Sequence, residues 1–246
     1  WTTADEEYDY YVDGSRGSGQ GDNGPSQSAA ALVVETLMKI KDDVNFQDFD
    51  GNDDQTVDIV ILVVEGFMDG TDQLFWPHMF YIPPEIIPNE VNLNNAGFFY
   101  DQNDGMFIKH YIIIPEKYYY NYDDHAERYG IHPIGTICHE MGHVFGLPDL
   151  YDTRDVPPDE KNHDVGDWGL MASGNWRNQT SPAYMSAWSR YTLGFIHPLF
   201  LEGISQETQV EITPAEFADI GAAYILPMDS NLPNEYLIIE NRQQKG

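Results

Sequence analysis

The sequence predicts an α+β fold built on a mixed sheet, and three observations carry that expectation. Val57-Asp58-Ile59-Val60-Ile61-Leu62-Val63-Val64 is a β-branched run that suits a strand buried on both faces. Residues 106–115 (MFIKHYIIIP) form a second strand candidate. Residues 132–145 suit a helix on which His139 and His143, four positions apart, project from one face. Along the chain, residues 13–27 are rich in Gly, Ser and Asp and read as a loop. Ser26 or Ser28 then caps a helix running to about Lys41, with Val33, Leu37, Ile40 and Val44 as its apolar stripe. Asp152 to Asp167 is a polar, proline-containing excursion expected to cover or flank the site on that helix. Ser181-Pro182 reads as the start of another helix, with proline at its first position, ending at Gly194. From Leu199 onward short strands are expected at Val210–Ile212, Tyr224–Leu226 and Tyr236–Ile239. No internal repeat occurs, and no internal linker is long enough to split the chain.

Residues 139–149 (HEMGHVFGLPD) hold the densest chemistry. Two imidazoles one helical turn apart can grip a single metal ion. Glu140 lies where its carboxylate can take a proton from a water at that metal. Gly146 ends the helix, because glycine enters a left-handed conformation without a Cβ penalty. Pro148 prevents the helix from resuming, and Asp149 follows as a hard oxygen ligand. This is the metzincin pattern, with aspartate in place of the last histidine. Zinc is the expected ion: three protein ligands leave its fourth tetrahedral position to water, as in a catalytic site. A rival third ligand is Glu160, in the thermolysin manner, but Pro157 and Pro158 precede it and no apolar periodicity surrounds it. Downstream, Gly166–Trp176 (GDWGLMASGNW) sets Met171 in a glycine-flanked turn, which looks like a Met-turn flooring the metal site.

With these segments in view, the chain resembles the immune inhibitor A-type secreted metalloproteases, bacterial zincins related to the metzincins. The resemblance rests on Phe75–His78, Tyr111–Glu116, Cys138–Asp152, Gly166–Gly174 and Tyr236–Gln243, and runs from about residue 28 onward. It implies a secreted, extracellular or cell-surface zinc endopeptidase acting on proteins or peptides. His139, His143 and Asp149 match the ligand positions and Glu140 the catalytic base. It implies a zincin core over 1–198, a β-rich C-terminal segment over 199–246 that is truncated, and synthesis with a pro-segment. The competing function is a catalytically silent zincin frame serving as a calcium-dependent surface or binding module. Glu140 separates the two, since silent relatives usually lose the base.

Composition narrows the classes further. Twelve Lys and Arg against 41 Asp and Glu give a formal charge of −29, which leaves little cationic surface to neutralise phosphates and excludes a nucleic-acid binder. No apolar run approaches the ~18 residues needed to span a bilayer. Cys138 is the sole cysteine, so no intrachain disulfide can form; beside His139 it is expected to be a small buried hydrophobe. The acidic charge also favours capture of divalent cations. Asp50, Asn52, Asp54 and Asp58 alternate as in the first part of an EF-hand-like calcium loop. Gln55 stands where that loop needs glycine and Ile61 where it needs glutamate, and a solvated acidic turn explains the segment equally well. His78 is expected to be a hydrogen-bonded structural histidine. Tyr118, Tyr119, Tyr120 and Tyr122 either line a cleft or pack beneath the helix.

Overall fold

The computed structural model describes residues 2–68, 74–93, 97–121, 127–154, 157, 164–177, 181–201, 209–215, 220–228 and 235–243. They form a mixed α+β structure with several sheets and few helices, which divides into two compact units, Trp1–Val144 and Phe145–Gly246.

The first unit holds helices α1 (Tyr8–Val12), α2 (Ala29–Ile40) and α3 (Ile134–Val144). Its strands are β1 (Val60–Met68), β2 (His78–Tyr81), β3 (Phe99–Asp101), β4 (Met106–Ile108), β5 (His110–Asn121) and β6 (Glu127–Ile131). Of the two serines expected to cap α2, Ser28 does so, its hydroxyl accepting from the Ala31 amide. β5 is central: β1 pairs with it in parallel, β2 and β6 in antiparallel, which leaves β2 at the sheet's edge. The expected strand over 106–115 is in fact two, because the chain leaves the β3–β4 hairpin at Lys109 and enters the main sheet. Burial on both faces belongs to β5, where Tyr111, Ile112, Ile113 and Ile114 are all buried. β1 was expected to show it, but Ile61 and Val63 are 42% and 47% exposed. Its other face packs Val60, Leu62 and Val64 against the core shared with α2. A bulge after Val64 passes through Gly66 at φ +118°, a conformation that favours glycine.

The second unit contains α4 (Ala187–Thr192) and the strands β7 (His197–Phe200), β8 (Ile220–Pro227) and β9 (Tyr236–Glu240). β7 runs parallel to β8, and β9 antiparallel to it. Ala187, Ile196 and Ala223 form a small core, with Tyr191 and Ile238 packed against it. The helix begins five residues later than Pro182 suggests. Ser186 is the true cap, its side chain accepting from the Ser189 amide, and Pro182 lies before the helix in chain without regular secondary structure. The exit is as expected, through Gly194 at φ +73°. Val210–Ile212, expected to be a strand, has no regular secondary structure.

Candidate metal centre

Pro133 precedes α3, which ends at Val144, and Gly146 turns the chain at φ +89°. A Cβ at Gly146 would meet nothing within 4 Å, so the glycine is needed for its backbone alone. Gly135, Thr136, His139, Glu140 and Gly142 make the buried face of the helix, which packs on β2 and β5. His139 and Glu140 are 5% and 6% exposed.

The Nε2 atoms of His139 and His143 lie 3.1 Å apart, with the ring planes at 89°. A tetrahedral ion with ligand bonds of ~2.0–2.1 Å holds its ligand atoms roughly 3.3–3.4 Å apart, close to this separation. His139, His143 and Asp149 each offer one ligand atom, and all three atoms lie within 4.8 Å of one another. Two imidazoles and a carboxylate are a borderline-soft donor set that zinc accepts. The donors present therefore fit a metal. Glu160 lies outside the described residues.

Glu140 takes no part in that donor group. Its Oε2 accepts from the Met79 amide of β2 at 2.7 Å, so the edge strand of the sheet fixes the carboxylate beside the histidines. Sequence reasoning missed this partner, because a backbone donor leaves no residue-type signature. His78, one position earlier, holds two hydrogen bonds: Nδ1 donates to the Trp76 carbonyl at 2.8 Å, and Nε2 accepts from the Tyr111 hydroxyl at 3.1 Å. Desolvation pushes its pKa down, with the Trp76 bond opposing, and the ring is neutral at pH 7. Cys138 is half-buried rather than fully buried, and desolvation raises its thiol pKa. Tyr118 meets His132 edge-on at 5.8 Å; the side chains of Tyr119, Tyr120 and Tyr122 lie outside the description.

In the second unit, Met171 is fully buried within a turn closed by the Ala172 amide on the Gly169 carbonyl at 3.1 Å. Gly174 is required there by space, since a Cβ would come within 2.6 Å of both the Ala183 Cβ and the Gly169 carbonyl oxygen. Arg242 donates to the carbonyls of Trp168, Tyr184 and Met185. Glu240 pairs with the buried Arg190 at 2.9 Å and accepts from the Ala187 amide. Both residues fall in the Tyr236–Gln243 segment: Arg242 holds the methionine-bearing loop through the Trp168 carbonyl, and Glu240 anchors α4.

The acidic loop does not gather a donor group of this kind among the described residues. Asp50 accepts from the amides of Asp54 and Gln55, Asp54 from Thr56, and Asp58 from Gly51. Gln55, in the place where glycine was missed, takes the left-handed conformation at φ +64°. These carboxylates organise the turn, and calcium finds no support from them.

Comparison with known proteins sets this geometry in a lineage. Over 72 residues the chain is 39% identical to the pre-pro-metalloprotease PrtV of Vibrio cholerae serotype O1, in strains M66-2 and ATCC 39315 / El Tor Inaba N16961. The match covers 26% of this chain and only 8% of that protein's length. The immune inhibitor A peptidase M6 catalytic domain matches residues 66–198, which take in the edge strand, the helix carrying His139 and His143, the methionine turn and α4. With more than half of its length matched in this way, the chain belongs to the immune inhibitor A peptidase M6 family.

Proposed function

We propose that the protein is a zinc-dependent endopeptidase in which His139, His143 and Asp149 hold the ion and Glu140 is the general base. The observation that carries this reading is the close approach of those three donors, next to a buried carboxylate held by a strand amide. Family membership supports it. A bound zinc supplies Lewis acidity, lowering the pKa of water towards neutrality and polarising a substrate carbonyl. Glu140 takes a proton from the attacking water and returns it to the leaving amine. The Met79 amide holds Glu140 in one orientation through both transfers, and burial keeps bulk water from competing for the proton. An aspartate ligand leaves less positive charge at the site than three histidines would.

The metzincin-type arrangement, with Met171 as the floor of the site, belongs to the same proposal; it is supported by the complete burial of that side chain within its turn. So does a catalytic domain reaching about residue 198, where the family match ends, followed by a β-rich segment. Export from the cell is in keeping with the pre-pro-metalloprotease name of the relative and with the absence, among described residues, of a helix long and apolar enough to cross a membrane. Protein or peptide substrates follow from the family.

Elemental analysis paired with casein hydrolysis, before and after chelation, tests the reading. Glu140→Gln should keep the metal and lose activity by about 10²–10⁴-fold. Normal turnover in that variant would remove Glu140 from its role, and a metal-loaded protein that never cleaves would favour the silent binding module.

A further inference from the structure

At the start of α3 two polar side chains, four positions apart, are buried without partners. His132 stands two residues before the helix and Thr136 in its first turn, and both are more than nine-tenths buried. Among the described residues, neither ring nitrogen of His132 nor the Thr136 hydroxyl has a hydrogen-bond partner. The Lys117 backbone lies near the ring without bonding to it.

Buried polar groups are almost always satisfied, by protein or by ordered water. Thr36 on α2 shows the ordinary solution for a helical threonine, its hydroxyl donating to the Leu32 carbonyl four residues back at 2.8 Å. Thr136 makes no such bond. Pro133, where a capping side chain would stand, has none to offer, and the first amides of a helix have no partner within it. Gly135, on the same buried face, brings no side chain to fill the space. The imidazole is held in place, since the His132 amide donates to the Glu116 carbonyl at 3.1 Å and the ring meets Tyr118 edge-on at 5.8 Å. A neutral imidazole offers one donor and one acceptor and a hydroxyl offers both, which are the complements of a water molecule. An ion suits the place less well, because neither group brings a charge to offset its burial.

We propose that His132 and Thr136 hold a buried water between them at the start of α3 and, through it, position Glu140. Thr136, His139 and Glu140 share the buried face of the helix, with Glu140 one turn beyond Thr136. A water bonded to both residues ties the first turn of α3 to the chain that His132 anchors on β5. The helix is thereby set at the depth where Glu140 meets the Met79 amide. Both are positioning residues, and neither touches substrate. The water site stands on the geometry alone; the role towards Glu140 rests on the peptidase reading above.

The test combines a count of internal waters with kinetics on the zinc-loaded protein. Oxygen-17 relaxation dispersion should show one long-lived water fewer in Thr136→Val than in wild type, and no further loss in Thr136→Val combined with His132→Phe. Thr136→Ser should keep the water. In hydrolysis, Thr136→Val should lower kcat about 10-fold with KM and zinc content nearly unchanged, because a small displacement of the base is costly. Thr136→Ser should restore most of that rate. His132→Phe and the double variant should be no slower than the worse single variant, since emptying the site once removes the whole effect. An unchanged water count in both single variants of unaltered circular dichroism would overturn the site. A lost water with normal kcat, or losses that add in the double variant, would overturn the positioning role. Wild-type protein that shows the water and never cleaves would refute the peptidase and leave the site standing.

Discussion

The Leu150 amide donates to the carbonyl oxygen of Met171 at 2.7 Å, joining the residue after Asp149 to the floor of the methionine turn. The Val165 amide in turn donates to the Leu150 carbonyl at 3.2 Å, so Leu150 is held from both sides of its peptide unit. The turn thus fixes the main chain next to Asp149, the proposed carboxylate ligand, while the Met171 side chain is fully buried. Met171→Leu, close to volume-conserving, should cost less than about 1.5 kcal/mol and retain zinc. Met171→Ala should cost about 2–5 kcal/mol through the cavity it leaves. Urea unfolding with zinc content measured on the same samples checks both; an inexpensive alanine variant would mean that the side chain packs nothing of consequence.

Asp149→Ala should release most of the zinc, whereas Glu160→Ala should leave binding unchanged. Calorimetric titration of metal-free protein distinguishes the two. Full zinc retention by the Asp149 variant would transfer the third ligand to Glu160.

His132 gives a pH dependence of defined sign. It is 5% exposed, and desolvation pushes its pKa down from 6.5 to about 4, the nearby Lys117 backbone opposing. Between those values the unfolded chain binds more protons than the folded one, so stability is fully present above pH 6.5 and is lost as pH falls through 4. The loss attributable to this ring is at most about 3 kcal/mol. The difference in urea midpoint between wild type and His132→Phe should shrink or change sign from pH 7 to pH 4.5. A constant difference would show that the ring does not titrate in this way.

Glu240 is the anion on which two arginines converge. Its partner Arg190 has a side chain only 3% exposed, and Arg242 lies 3.7 Å away. Glu240→Ala should therefore cost about 3–5 kcal/mol, because it leaves Arg190 buried and unneutralised. Replacing Arg190 by methionine together with Glu240→Ala should recover a good part of that loss. Thermal unfolding of the single and double variants measures the coupling, and additive losses would show that the pair is not an energetic unit.

The parts of this protein that were legible in its sequence are those set by neighbours in the chain. Ser28, the helix bearing His139 and His143, and the turn at Gly146 depend on residues within a few positions of one another. Strand limits were harder, because burial depends on which strand ends up central. β5 took that place, and the apolar run of β1 was left half exposed. The late start of α4 came from a serine cap that competes with a proline signal, and the cap prevailed. The clamp by Arg242 on Trp168 spans 74 positions and leaves no local pattern to read.

The bond from Met79 to Glu140 spans 61 positions, and it can form only after β2 has docked on β5. Contacts of such separation close late, since the loop between them must first be ordered. The helix, by contrast, brings its two histidines together through local structure alone. During refolding, metal capture should then precede seating of the base, so that stopped-flow zinc uptake runs ahead of the return of hydrolysis. For that interval the nascent chain can hold an ion and still cut nothing, its own unfolded neighbours included.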